Sequence, residues 1–166
     1  RVERGATTGV QGADTDAADI DLIESLSTTS AGGVDNITAN GGNDIILGGR
    51  HGDTINAGDG SNLVIGDSGR ITAANTGVAQ FADVPMTFGL IETIAFGDGG
   101  SDSISTGTGS DMVLGGHLDD TIIVSGGNNI VLGDDGQIDY VRVERGATTG
   151  VQGADTDAAD IDLIES

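Results

Sequence analysis

The chain has 166 residues and a formal net charge of −21, with 30 glycines, one proline, no cysteine and no tryptophan. Aromatic residues make up only 2% of it, which excludes an ordinary aromatic-rich core. The acidity argues against nucleic acid and anionic membranes as partners, because both select basic surfaces. No apolar run is long enough for a transmembrane helix, so we expect no membrane insertion.

Residues 1–29 form the first predicted element, an insert that ends in an approach strand around Ile20, Leu22 and Ile23. The insert also carries an acidic cluster with the sequence GADTDAADID, formed by Asp14, Asp16, Asp19 and Asp21. The cluster lacks the glycine and the bidentate glutamate of an EF-hand loop. It therefore favours a solvated acidic loop, with a metal site as the alternative.

Residues 30–73 form a first block in which an Asp or Asn recurs every nine residues and is followed two places later by a β-branched residue. The recurring residues are Asp35, Asp44, Asp53 and Asn62, followed by Ile37, Ile46, Ile55 and Val64. We number each nine-residue turn so that this Asp or Asn stands at place six. The next turn, GDSGRI, has Asp67 at place two and Ile71 at place six.

Residues 74–96 form a second insert with an approach strand that contains Phe88 and Leu90, and residues 97–141 form a second block. This block repeats the first at an offset of 67 residues. Its place-six residues are Asp102, Asp111, Asp120 and Asn129, and its place-two acids include Asp98 and Asp134. Residues 142–166 then repeat residues 1–25 letter for letter. We therefore expect them to begin the next 141-residue unit of a longer tandem array.

The period of nine, with glycine at place four in eight of ten turns, resembles the G-G-x-G-x-D-x-U-x nonapeptide of RTX (repeats-in-toxin) proteins. His51 and Leu118 are the two departures at place four. The resemblance covers both blocks. It implies an all-β fold, a right-handed parallel β-roll or β-solenoid of about 18 residues per coil, with strand-loop excursions between the blocks. It also implies calcium binding and secretion by a bacterium to the cell surface or the extracellular space.

Elementary chemistry leads to the same cofactor. With two turns per coil, place-six carboxylates stack about 4.8 Å apart, so a cation must separate them. Calcium suits such a site because it accepts carboxylate and carbonyl oxygens in loose geometry. The predicted calcium ligands are Asp35, Asp44, Asp53, Asn62, Asp67, Asp98, Asp102, Asp111, Asp120, Asn129 and Asp134. Without calcium, a chain this acidic and poor in aromatics is expected to be unfolded.

Two alternatives stay open around these ligands. The place-two acids Asp67, Asp98 and Asp134 can instead cap their turns through Asx hydrogen bonds. His51 and His117 lie beside place-six acids in equivalent turns, and we interpret them as surface residues rather than as zinc ligands or a proton relay.

The two faces of each predicted sheet follow from strand geometry, because neighbouring side chains point to opposite sides. If place eight points inward, one sheet presents polar residues outward: Asn36, Thr38, Thr54, Asn56, Ser103, Ser105, Thr121 and Ile123. The other presents Ile45, Leu47, Leu63, Ile65, Met112, Leu114, Ile130 and Leu132. That apolar patch is too large to stay exposed, so we expect the inserts or a second copy to cover it.

The favoured function is a calcium-stabilised structural repeat of an extracellular fibre or giant surface adhesin, with self-association through further units or lateral copies and no enzymatic activity. A carbohydrate-binding or ice-binding adhesin solenoid is one alternative, although the outward polar residues lack the regular threonine rank of an ice-binding face. The repeat region of an RTX enzyme or toxin is the other alternative.

Overall fold

The computed structural model describes residues 20–26, 32–74, 81–84, 86–140 and 163–166, and within them it is all-β without helices. Accordingly, no helix in this part of the chain is long and apolar enough to cross a membrane. The thirteen strands are β1 Leu22–Glu24, β2 Asn36–Thr38, β3 Ile45–Leu47, β4 Thr54–Gly58, β5 Leu63–Ile65, β6 Gly69–Ala73, β7 Phe88–Thr93, β8 Ser103–Thr106, β9 Met112–Leu114, β10 Thr121–Ile123, β11 Ile130–Leu132, β12 Gln137–Asp139 and β13 Leu163–Glu165.

Two four-stranded parallel sheets contain the repeat blocks, in the orders β2-β4-β8-β10 and β3-β5-β9-β11. Strands that lie 18 residues apart pair in register, for example Ile37 with Ile55 and Ile46 with Val64. The nine-residue period explains this arrangement, because the chain visits the two sheets alternately and each visit adds one parallel strand.

Place-eight residues form the core of the parallel sheets, as their alternation predicts. Ile55, Val64 and Val113 are fully buried in one cluster. The whole cluster comprises Ile46, Ile55, Ala57, Val64, Ile104 and Val113, with Ile37, Ala39, Ile122 and Val124 packed against it. Burial of side chains of this size stabilises a fold by about 1.5–3 kcal/mol each. This burial agrees with the premise that place eight points inward.

In the parallel sheets, strands of the second block pair directly with strands of the first. The nine-residue period predicts that the turn with Ile71 lies beside the turn with Asp53. Instead, Ile55 pairs with Ile104 and Val64 with Val113. Ile71 lies fully buried in β6, which belongs to a third sheet. The physical reason is that an apolar side chain at place six cannot accept the backbone hydrogen bond that Asp53, Asp102 and Asp120 accept at this place. The chain therefore leaves the parallel sheets after β5 and returns in register at β8.

The third sheet has the strand order β1-β6-β7-β12-β13. Its first pair is antiparallel, because the Ala73 N–H donates to Asp21 O and the Ser25 N–H donates to Gly69 O, each at 2.9 Å. Its last pair, β12 with β13, is also antiparallel. Strands β1 and β7 lie at the positions of the predicted approach strands.

The outward faces of the parallel sheets also follow the prediction. Of the eight outward residues on the polar face, seven are exposed and Ser105 is half-buried. On the apolar face, Leu63, Ile65 and Leu114 have no exposed surface. Ile65 packs on Gly69 of β6, where an added Cβ would lie 2.5 Å from Ile65 Cδ1. At that position the cover is a strand of the same chain.

The described residues divide into two compact units. One contains the described parts of residues 1–23, 71–91 and 137–165, and the other those of residues 24–70, 92–136 and 166. Every place-six Asp and Asn of the two blocks belongs to the second unit. In the first unit, Phe81 and Phe88 form a tilted ring pair with centroids 5.7 Å apart.

Place four has a left-handed backbone in six of the ten turns, which explains the preference for glycine there. Gly42 and Gly109 have φ angles of 130° and 140°. His51 and Leu118, the two departures at this place, are also left-handed, with φ angles of 74° and 79°. A left-handed conformation costs a residue with a Cβ about 1–2 kcal/mol. The turn geometry is therefore maintained even where the sequence departs from the repeat.

Candidate metal centre

Place-six side chains form two ladders that run through both blocks. In the first ladder, each place-six backbone N–H donates to Oδ1 of the next Asp. The distances are 2.7 Å from Asp35 to Asp53, 2.7 Å from Asp53 to Asp102 and 2.8 Å from Asp102 to Asp120. The second ladder has 3.0 Å from Asp44 to Asn62, 2.9 Å from Asn62 to Asp111 and 2.8 Å from Asp111 to Asn129. One oxygen of each acceptor is thereby used.

The second oxygen of the place-six acids is buried without a hydrogen-bond partner. This holds for Oδ2 of Asp44, Asp53, Asp102, Asp111 and Asp120. A buried charged oxygen without a partner costs several kcal/mol, and such atoms are rare in folded proteins. A cation beside each of these five oxygens would supply the missing partner.

Beside certain place-one glycines, the Oδ2 atom of a place-six Asp and a backbone carbonyl oxygen lie together. We name each group of glycine, Oδ2 atom and carbonyl oxygen a cradle. A Cβ added to the glycine of any cradle would lie closer than 3.0 Å to both oxygens. Cradle 1 comprises Gly48, Asp53 Oδ2 and Gly66 O; cradle 2 comprises Gly66, Asp102 Oδ2 and Gly115 O; cradle 3 comprises Gly115, Asp120 Oδ2 and Gly133 O. The place-one glycine is therefore required to leave room beside the two oxygens.

Burial makes the first ladder a poor host for uncompensated charge. Desolvation raises the pKa of Asp102 to about 7, with the nearby carboxylates Asp67, Asp120 and Asp53 adding to it. Desolvation is also the main cause that raises the pKa of Asp53 and of Asp120. A cation at the cradles would reverse this effect, because it stabilises the ionised form.

A pH prediction follows for the chain without metal. Because the folded pKa of Asp102 is raised to about 7, the folded state binds more protons than the unfolded chain between the ordinary value of 3.8 and about 7. Stability without calcium should therefore be highest at acid pH and fall as pH rises through that window. In chelator, circular dichroism should show more β structure at pH 5 than at pH 7.5. Asp102→Asn should weaken this pH dependence, and a gain of β structure with rising pH would contradict the prediction.

Asn62 uses its amide nitrogen in the second ladder. Its Oδ1 accepts from the Asp44 N–H, and its NH2 group donates to Gly58 O at 3.2 Å, Gly60 O at 3.1 Å and Asp111 Oδ1 at 3.1 Å. The sequence predicted Asn62 as an oxygen ligand. In this structure the amide nitrogen instead occupies the position beside two carbonyls and a carboxylate where a cation would bind.

Asp67 connects three turns through its carboxylate. Its Oδ1 accepts from the Gly100 N–H at 2.9 Å and its Oδ2 accepts from the His117 N–H at 2.5 Å. Desolvation raises its pKa to about 6, and the nearby Asp120 and Asp135 contribute. These bonds reach other turns, so they differ from the local Asx capping that the sequence left open for the place-two acids. The same carboxylate also adds negative charge close to cradles 2 and 3.

The remaining candidates are spread around this centre. Asp98 is half-buried, and Asp134 is exposed but close enough to raise the pKa of Asp120. His51 is exposed, and His117 Nδ1 lies 3.9 Å from Asp135 Oδ2. In the acidic cluster of the first insert, Asp14, Asp16 and Asp19 lie outside the described residues. Within the described residues, no three His, Asp or Glu side chains form a metal-binding group.

The donor set of each cradle fits calcium. It joins a carboxylate oxygen to a backbone carbonyl, and hard oxygen donors of these two kinds are those that calcium prefers. The sequence did not predict that the first ladder continues from Asp53 to Asp102. The signal for it was Ile71, an apolar residue at place six that interrupts the nine-residue period and at which the first ladder would otherwise end. Comparison of the chain with protein-family models, with curated proteins and with solved structures finds no match.

Proposed function

We propose that the chain is a calcium-stabilised structural repeat that folds when it binds calcium. The observation that carries the proposal is the set of buried Oδ2 atoms without partners, of which those of Asp53, Asp102 and Asp120 each lie beside a glycine carbonyl in cradles 1 to 3. Calcium neutralises the carboxylates and completes their coordination, so its binding free energy becomes folding free energy. The fold in this proposal is an RTX-like parallel β-roll with two nine-residue turns per coil.

The proposed setting is outside a bacterial cell. Extracellular calcium modules bind calcium with dissociation constants of about 10⁻⁴–10⁻³ M, so their sites stay empty at cytoplasmic calcium concentrations. A chain of net charge −21 then remains unfolded until it is secreted and meets calcium. The tandem copy of residues 1–25 supports a long array within a fibre or a surface adhesin, in which units contact their neighbours.

A structural role accounts for the outward polar face better than a regular ligand-binding face does. The outward place-seven residues Asn36, Thr54, Ser103 and Thr121 form one row across four strands, and this row mixes Asn, Thr and Ser. An ice-binding face requires a regular row. The regularly repeated residues instead lie inside the repeat, in the ladders and the core.

Replacement of Asn62 by Asp tests the proposed chemistry. The Asn62 amide nitrogen bonds to two carbonyls and to Asp111, and a carboxylate at this position would repel them unless a cation took the place of the amide. Asn62→Asp should therefore bind one more calcium ion per chain by isothermal titration calorimetry. In chelator, the same variant should be less stable than the parent chain.

Asn129→Asp is the control, because Asn129 lies at the last level of the same ladder. It should change calcium binding less than Asn62→Asp does. An unchanged calcium stoichiometry in Asn62→Asp, or no calcium binding by the parent chain at millimolar calcium, would contradict the proposed function.

A further inference from the structure

Two strands with the same sequence lie at opposite edges of the third sheet. Strand β1 is Leu22–Glu24 and strand β13 is Leu163–Glu165, and both read Leu-Ile-Glu within the segment that recurs after 141 residues. The sheet order places β1 beside β6 and β13 beside β12. One sequence therefore pairs with two different partners.

The two copies use opposite edges of the strand. In an antiparallel strand, the N–H and C=O of one residue point to the same side, and successive residues alternate. Strand β1 directs Asp21 and Ser25 toward β6, since Asp21 O accepts from the Ala73 N–H and the Ser25 N–H donates to Gly69 O. By the same alternation, Ile23 faces β6, and Leu22 and Glu24 face the other edge, where no strand of the described residues pairs with β1.

Strand β13 shows the complementary pattern. Strand β12 directs residues 136 and 140 toward β7, since Gly136 O accepts from the Thr93 N–H and the Tyr140 N–H donates to Gly89 O. Gln137 and Asp139 consequently face β13, where they pair with Glu165 and Leu163. The positions that bond to β12 in the second copy are thus the positions left open in the first copy.

We propose that this strand is shared between successive units of the array. Each Leu-Ile-Glu strand pairs through its Leu and Glu with β12 of the preceding unit and through its Ile with β6 of its own unit. Strand β13 is then the β1 of the next unit, and the third sheet continues through the junction. The proposal goes beyond calcium binding, because it concerns backbone pairing that contains no predicted ligand.

Side chains support the shared role. Glu24 Oε1 accepts from Arg70, at 3.0 Å from Nε and 2.6 Å from Nη2. Its counterpart Glu165 uses the other oxygen, Oε2, which accepts from Gln137 Nε2 at 3.2 Å. One glutamate can therefore bind Arg70 of its own unit and Gln137 of the preceding unit together. Ile164 is 49% exposed, whereas its counterpart Ile23, which faces β6, is only partly exposed.

Strand counts agree with a continuous junction. Each parallel sheet holds four strands, and the third sheet holds four once β13 is assigned to the next unit. The third sheet can therefore lengthen by four strands per 141 residues, about 19 Å at the usual strand spacing. The last level is also open for a neighbour, because Val131 at place eight is 43% exposed whereas its equivalents Val64 and Val113 are fully buried.

Amide hydrogen exchange, followed by NMR on the calcium-loaded 166-residue chain, tests the proposal with an internal control. In the first copy, Ile23 should exchange slowly and Leu22 and Glu24 fast. In the second copy the pattern should invert, with Leu163 and Glu165 slow and Ile164 fast. The paired amides should exchange on the order of 100-fold more slowly than the open ones.

A longer chain completes the test. When one further copy of residues 26–141 follows Ser166, Ile164 should also become protected, because it then pairs with the β6 of the added copy. The same protection pattern in both copies, or an Ile164 that still exchanges fast in the longer chain, would overturn the shared strand. Calcium titration of the same samples tests the proposed function separately, since a chain can bind calcium and still show the wrong pattern.

Discussion

In excess chelator at neutral pH, the calcium-loaded chain is expected to lose most of its β structure. Without the ion, the Oδ2 atoms of Asp44, Asp53, Asp102, Asp111 and Asp120 are buried without partners. Each uncompensated buried charge costs several kcal/mol, so the sum exceeds the stability of about 5–15 kcal/mol that typical domains possess. Far-ultraviolet circular dichroism during a chelator titration measures the loss, and added calcium should restore the signal.

Magnesium is the matched ion for this experiment. It requires near-ideal octahedral geometry and retains its waters, so it should restore much less structure than calcium at equal concentration. A monovalent salt at equal ionic strength shows how much of the effect is general screening of the net charge. A chain that keeps its full β signal in chelator at pH 7.5 would show that folding is not coupled to calcium.

Gly66→Ala is expected to reduce both the stability of the calcium-loaded chain and the number of calcium ions it binds. The new Cβ would lie closer than 3.0 Å to Asp102 Oδ2 and to Gly115 O, which are the two oxygens of cradle 2. Because one of these atoms belongs to the backbone, the strain cannot be relieved by a side-chain rotation alone. We expect a loss of about 3 kcal/mol or more and at least one fewer calcium ion per chain.

Gly133→Ala is the matched control for Gly66→Ala. Gly133 stands at the same place one in the last turn of the stack, and a Cβ there meets nothing within 4 Å. Calcium-dependent thermal unfolding and calorimetric stoichiometry should therefore be close to those of the parent chain. Equal behaviour of the two variants would show that the space beside Gly66 is not needed for an ion.

Periodicity predicted the part of the fold that repeats. The nine-residue period identified the place-eight residues, such as Ile55 and Val64, that form the core, because successive side chains of a strand point to opposite faces. It also distinguished the exposed polar face from the buried apolar face. These features depend only on local geometry, which a single repeat contains.

Features that depend on pairing between distant parts of the chain could not be predicted from the nine-residue period. The pairing of Asp53 with Asp102 requires residues 66–101 to leave and return in register, and nothing local to either residue encodes the return. The orientation of the Asn62 amide depends on carbonyls of its own turn and on Asp111, which lies 49 residues away. The opposite edges of β1 and β13 are likewise set by their partner strands, since their own sequences are the same.

Cradle 2 has a consequence for the order in which the chain folds. Cradles 1 and 3 each join a glycine to an Asp five residues later, whereas the glycine and the Asp of cradle 2 are separated by the 36-residue step from Gly66 to Asp102. Loop-closure entropy rises with the length of the loop, by about 0.6 kcal/mol per doubling. We therefore expect the short-range turns to form first within each block and the contact between the two blocks at cradle 2 to form later.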